Sequence, residues 1–149
     1  MEQIILGIMH RIAEEMPELS LIDEDYGQLE TEEDTYPVTF PCALISNMSI
    51  EWTTTKALCQ RGKAEITTRL AIDCYDDTHL GSSQEHAIAE RQRMAMKLDR
   101  ALHGFQPQQN TGILLRTKTT QYAIRGGIKV YETTFTLSMH DGSEHPLNV

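Results

Sequence analysis

The sequence predicts an α+β fold in which a mostly antiparallel sheet carries two helices on one face, and three observations predict it. Residues 63–75 alternate, with Ala64, Ile66, Leu70, Ile72 and Cys74 on one parity and Glu65, Thr67, Arg69 and Asp73 on the other, the period of a half-buried strand. A polar turn from Asp76 to Ser83 then breaks the pattern, and from Gln84 the residues Ala87, Ile88, Met94, Ala95, Leu98 and Leu102 share one helical stripe. At the start of the chain Ile4, Ile5, Ile8, Met9, Ile12, Ala13 and Met16 repeat the i, i+3, i+4 spacing until Pro17 ends it. The order is helix, strand hairpin, helix, strand hairpin (α-β-β-α-β-β), in a single domain over residues 1–149. The sheet face away from the helices is expected to be Thr-rich and polar.

Taken in order, the first helix is a core-packing element. Leu19, Leu21 and the residues around Tyr26 suit a short extended segment, and the acids that follow resist burial, so residues 23–36 are expected as a solvated loop. Tyr36-Pro37-Val38-Thr39-Phe40-Pro41 is held extended by its prolines and delivers the chain into a strand over Cys42 to Ile50. That strand is apolar on both parities at its start, as a central strand would be. Trp52 and Thr53 to Thr55 extend it or open a hairpin, and the connection Lys56 to Gly62, with Gly62 as turn residue, leads antiparallel into the alternating strand. After the second helix, Gly104 stands where a C-terminal cap is expected, and a polar loop follows. Extended character returns over Ile113 to Gln121, with Arg116 and Lys118 on one parity. Gly126 and Gly127 make a turn, and Ile128 to Met139 is the last strand, Tyr131, Phe135, Leu137 and Met139 facing inward. Residues 140–149 read as a loosely ordered polar tail.

Seven acids, Asp23, Glu24, Asp25, Glu30, Glu32, Glu33 and Asp34, crowd one short stretch without a base among them, and they carry most of the formal charge of −9. The rest of the chain is nearly neutral. Phosphate neutralisation needs clustered Lys and Arg, so nucleic-acid binding is not the expected activity. Cys42, Cys59 and Cys74 are odd in number and form no CxxC pair, which suits a reducing compartment. The start lacks a basic region, no apolar run reaches the length of a membrane span, and the chain is expected to fold in the cytoplasm.

No residue constellation carries a catalytic signature, and no cofactor is expected. Asp76, Asp77, His79 and His86 flank the strand-to-helix turn and offer the alternative of a small metal- or ligand-binding domain, without an HxxxH or HExxH spacing to support it. Asp23, Asp25 and Glu30 could supply hard oxygen ligands to a divalent cation but do not match an EF-hand loop. Asp99 and His103 are four apart on the second helix, where the helix dipole alone favours a histidine. Cys59 has no cationic neighbour, and Cys74 lies on an inward parity. What remains is charge placement. Arg116, Lys118, Arg125 and Lys129 crowd the C-terminal hairpin while the acids crowd 23–34, and a protomer with one acidic and one basic edge can pair head to tail with copies of itself.

In its order of elements the chain resembles the tail terminator, or tail-completion, proteins of long-tailed bacteriophages and prophages. The resemblance lies in the N-terminal helix followed by the Pro-flanked strand Tyr36 to Ile45, in Leu70 to Asp76 leading to a helix that closes on Leu98 to Gly104, and in the final apolar strand Tyr131 to Asp141. It implies a non-enzymatic structural protein, assembled in the bacterial host and carried in the virion tail. Such a protein forms a ring, typically a hexamer, that caps the tail tube and meets the head–tail connector. DNA passes through without specific binding, and no membrane is involved. The implied contact surfaces are the acidic loop, the basic hairpin and exposed sheet edges. Another neck or head-completion protein is the nearest alternative.

Overall fold

A computed structural model describes residues 2–74 and 85–140. Its elements are α1 (Glu2–Glu15), β1 (Leu21–Glu24), β2 (Cys42–Ile45), β3 (Ser49–Thr54), β4 (Gln60–Asp73), α2 (Glu85–Leu102), β5 (Leu115–Ile124) and β6 (Ile128–His140). The strands form one sheet in the order β1-β2-β4-β6-β5, with β3 also paired to β4. All pairings are antiparallel except β1 with β2. The α+β class and its two helices on one face are as expected, and β1 and β3 lengthen the order to α-β-β-β-β-α-β-β. Among the described residues no helix is long and apolar enough to cross a membrane.

The long strand β4 is the axis of the sheet. It pairs β6 along its whole length from Arg61 to Asp73, while β2 and β3 share its other side end to end. Between β2 and β3 the three residues Ser46, Asn47 and Met48 face only Thr67 and Ile66, and the Ser46 hydroxyl accepts the Thr67 N–H at 2.8 Å where a carbonyl would otherwise stand. This bulge explains why the segment from Cys42 onward shows no single alternation.

Alternation on β4 sends Ala64, Ile66, Leu70 and Ile72 to the helix side, where they meet Ile4, Ile8, Ile12 and Met16 of α1, Leu98 and Leu102 of α2, and Phe135 and Leu137 of β6. Each of the larger side chains among them, fully buried, contributes about 1.5–3 kcal/mol. Only the C-terminal half of α2 joins this core. Ile88, expected on the buried stripe, is exposed at the helix start. Gly104 takes φ +85 just past α2, which ends the helix as the sequence indicates. Gly126 and Gly127 likewise take positive φ in the β5–β6 turn.

Three expectations are corrected. Gly62 is not a turn residue. It lies inside β4 opposite Trp52, and a Cβ there would sit 2.8 Å from the Trp52 ring, so the absence of a side chain is what lets the indole lie on the strand. The turn falls instead at Lys56–Leu58, with Ala57 and Leu58 at φ 60 and 61. The second correction concerns the sheet face away from the helices, which is not wholly polar. Its β1 end is a second core of Cys42, Leu44, Ala71, Ile128 and Val130 covered by Leu29 and Tyr36, so the acidic segment is a strap laid on the sheet rather than a solvated loop. At the other end Thr67, Thr134 and Thr136 keep the expected polar character, all three only half-buried. Third, an irregularity between Arg116 and Lys118 shifts the β5 register, so Arg116 pairs Phe135 and Lys118 pairs Thr134, and the two bases leave on opposite faces.

Candidate assembly surfaces

The strap, residues 25–41, carries five of the seven acids for which the sequence suggests an assembly role, and Arg69 organises it. Arg69 stands on the β4 parity that faces away from the helices, beside Ala71 and Leu44. Its Nε and Nη2 donate to the two oxygens of Asp25 at 2.7 and 3.0 Å, and Nη1 and Nη2 donate to Glu30 at 2.8 and 2.7 Å. The Tyr122 hydroxyl lies 3.4 Å from Nη1 and donates to Glu132 at 3.0 Å. The guanidinium is thus forked twice, the geometry that suits arginine and that a lysine cannot reproduce. The Glu30 hydrogen bonds, above all, hold the Arg69 pKa above its ordinary value against the opposing pull of desolvation. Buried Gln28 closes the loop, its side-chain amide donating to the Glu24 carbonyl at 2.8 Å and accepting the Tyr26 N–H at 2.9 Å.

A second fastening lies at the far end of the strap. Arg125, from the β5–β6 turn, stacks 4.8 Å from the centre of the Tyr36 ring and donates to the carbonyls of Thr31 and Glu33. In return the Tyr36 hydroxyl donates to the Arg125 carbonyl at 2.8 Å. Between the two fastenings Glu32, Glu33 and Asp34 project as an exposed crest. Among the described residues, no backbone–backbone hydrogen bond joins residues 26–40 to the sheet.

The expected acidic and basic groups are therefore neighbours within one chain at two points. Asp25 and Glu30 hold Arg69, and Arg125 holds the strap backbone. Asp23 is half-buried on β1 and its carboxylate accepts the Glu24 N–H at 2.8 Å, while Glu24 is exposed. Of the remaining bases, Arg116 pairs with Asp99 at 3.3 Å, Lys118 is exposed, and Lys129 is half-buried. Arg69 and Tyr36 were not legible as site residues. The available signal was a lone arginine on a strand downstream of many uncompensated acids.

For the alternative metal or ligand site, His86 is exposed at the start of α2, and Asp76, Asp77 and His79 lie outside the described residues. Among the described residues no group of three or more His, Cys, Asp or Glu comes together. Asp99 is buried, and that burial raises its pKa against the lowering effect of Thr133 and Arg116. The His103 Nδ1 accepts the Arg116 N–H at 3.1 Å, so this imidazole serves as a cap joining α2 to β5. Cys42 is fully buried, and burial pushes its thiol up to about 11.

No family model and no curated protein matches this sequence. Among solved structures 27 chains match. One, described as a chain of the virion of a native gene transfer agent (GTA) particle, aligns with a TM-score of 0.63 at 7% identity, covering 92% of this chain and 94% of that one. At such low identity the likeness is one of fold, and it extends over nearly the whole of both chains.

Proposed function

We propose that this protein is a structural component of a phage-like virion, and specifically a tail terminator that forms a ring capping the tail tube and joining it to the head connector. The observation that carries the reading is the fold shared, almost end to end, with a chain of a gene transfer agent virion. The distribution of charge supports it. An exposed acidic crest and exposed bases elsewhere give each copy complementary surfaces for a heterologous contact that closes on itself. A ring lined by carboxylates would let DNA slide through by repulsion. No step of chemistry is assigned, and the reading is non-enzymatic.

Electron microscopy of the purified chain mixed with tail tubes tests this directly. Rings seated on tube ends are the expected result. A protein that stays monomeric and ignores the tubes would remove the terminator role, and stoichiometric bound metal lost on His79→Ala would favour the small metal-binding domain instead.

A further inference from the structure

Resting on the ring reading, a further step identifies where copies meet. β4 joins two unlike ends of the molecule: the strap is fastened at Arg69, and the β3–β4 turn caps the other end at Gln60. From Arg61 to Arg69 the strand climbs about 26 Å. Residues 52–64 hold Lys56, Arg61 and Lys63 and no acid, in a chain whose formal charge is −9. Lys63 pairs Glu51 across the ladder, which leaves Lys56 and Arg61 to give the tip its sign.

The tip is both strained and apolar. Every residue from Glu51 to Leu58 is exposed, including Trp52 at 40% and Leu58 at 52%. Ala57 and Leu58 are the central pair of a two-residue turn, at φ 60 and 61, closed by the Cys59 N–H donating to the Lys56 carbonyl at 3.4 Å. A turn of that hand favours Asn-Gly, because both positions require positive φ. Side chains at both positions cost conformational energy, and none of the described residues covers the leucine. Strain and apolar exposure at the same two residues are what a contact surface requires and a fold does not.

We propose that the β3–β4 tip is one half of a contact between copies, and that its other half is the crest Glu32, Glu33 and Asp34 on the strap of a second copy. The halves lie at opposite ends of β4, so one protomer cannot satisfy both, and each addition leaves one of each free until the ring closes. Leu58 is the apolar anchor, while Lys56 and Arg61 provide steering and register. The basic partner of the acidic crest is thus the tip rather than the C-terminal hairpin, whose Arg116 and Arg125 are engaged within their own chain.

Sedimentation velocity on the full chain tests the contact with two kinds of variant. Ala57→Asn with Leu58→Gly gives the turn residues better suited to it, so the melting temperature should hold or rise while self-association weakens at least about tenfold. Lys56→Glu with Arg61→Glu, and separately Glu32→Lys, Glu33→Lys and Asp34→Lys, should each fail to assemble alone and assemble when mixed. Carbodiimide cross-linking of isotope-mixed protein should join Lys56 to Glu32, Glu33 or Asp34 of another copy. Tip variants that oligomerise like the wild type would overturn the contact and leave the ring reading standing. Links from Lys56 only to residues 141–149 of its own chain would also overturn it, by showing that the tail covers the tip. A wild-type chain that is monomeric at every concentration and stays so when tail tubes are added overturns both readings.

Discussion

The two faces of the sheet are covered in different ways. On one, α1 and α2 press regular apolar stripes into alternating strands, with their own backbone groups satisfied inside the helices. On the other, an irregular strap covers Leu44, Ala71 and Val130, and among the described residues it is tied down between its two ends by side chains rather than by a backbone ladder. The first arrangement is continuous with the folding of the sheet. The second can open without breaking the ladder, so the same sheet carries one face that defines the fold and another that is fastened onto it.

Substitution separates the two. Phe135→Ala, in the helix-side core, should cost about 3–5 kcal/mol in urea denaturation and lower the whole transition. Arg69→Ala leaves Asp25 facing Glu30 on the strap side and should cost about 2–3 kcal/mol. Its signature should be local: with Cys59→Ser and Cys74→Ser in the background, Cys42 should become reactive to a thiol reagent under conditions where the helix-side core stays folded. If Cys42 reacts only as fast as the whole molecule unfolds, the two faces are one cooperative unit and the contrast fails.

What was legible in the sequence divides along the same line. The helices, β4, the cap at Gly104 and the turn at Gly126 and Gly127 are each announced by a local rule of period or backbone freedom. The strap has no period. Its order comes from Arg69, distant in sequence from Asp25 and Glu30, and from Tyr36 meeting Arg125, and such pairings become readable only once the sheet has brought them together. The β3–β4 turn was misplaced for a different reason, since Ala57 and Leu58 occupy positions where glycine or asparagine is the usual sign, while the nearby Gly62 serves an indole. Ile88 fits a stripe that the core does not reach, and the bulge at Thr117 undoes the shared parity of Arg116 and Lys118.

Asp99, on α2 and buried against β5, has a pKa raised by that burial, so the folded state binds its proton more tightly than the unfolded state. Its contribution is fully present below the unfolded carboxylate pKa and is lost as pH rises through the higher folded value. The Asp99 contribution to stability should fall with rising pH across that acidic window, and Asp99→Asn should remove it, as urea denaturation at a series of pH values would show. Smallest of all, with the strap in place, Cys42 should alkylate at mildly alkaline pH far more slowly than Cys59 or Cys74, because its thiol pKa of about 11 keeps it protonated. Mass mapping of the labelled thiols would show the order.

The bulge at Thr117 has a consequence for the life of the chain before it meets a partner. β5 is an edge strand, exposed along nearly all its length, and a flat edge of that kind is a template on which any extended chain can polymerise. The extra residue breaks the regular spacing of the free N–H and C=O groups, and exposed Lys118 puts a positive charge beside the break. Both features make this edge a poorer template for a second chain, so a free subunit is guarded there against stacking edge to edge.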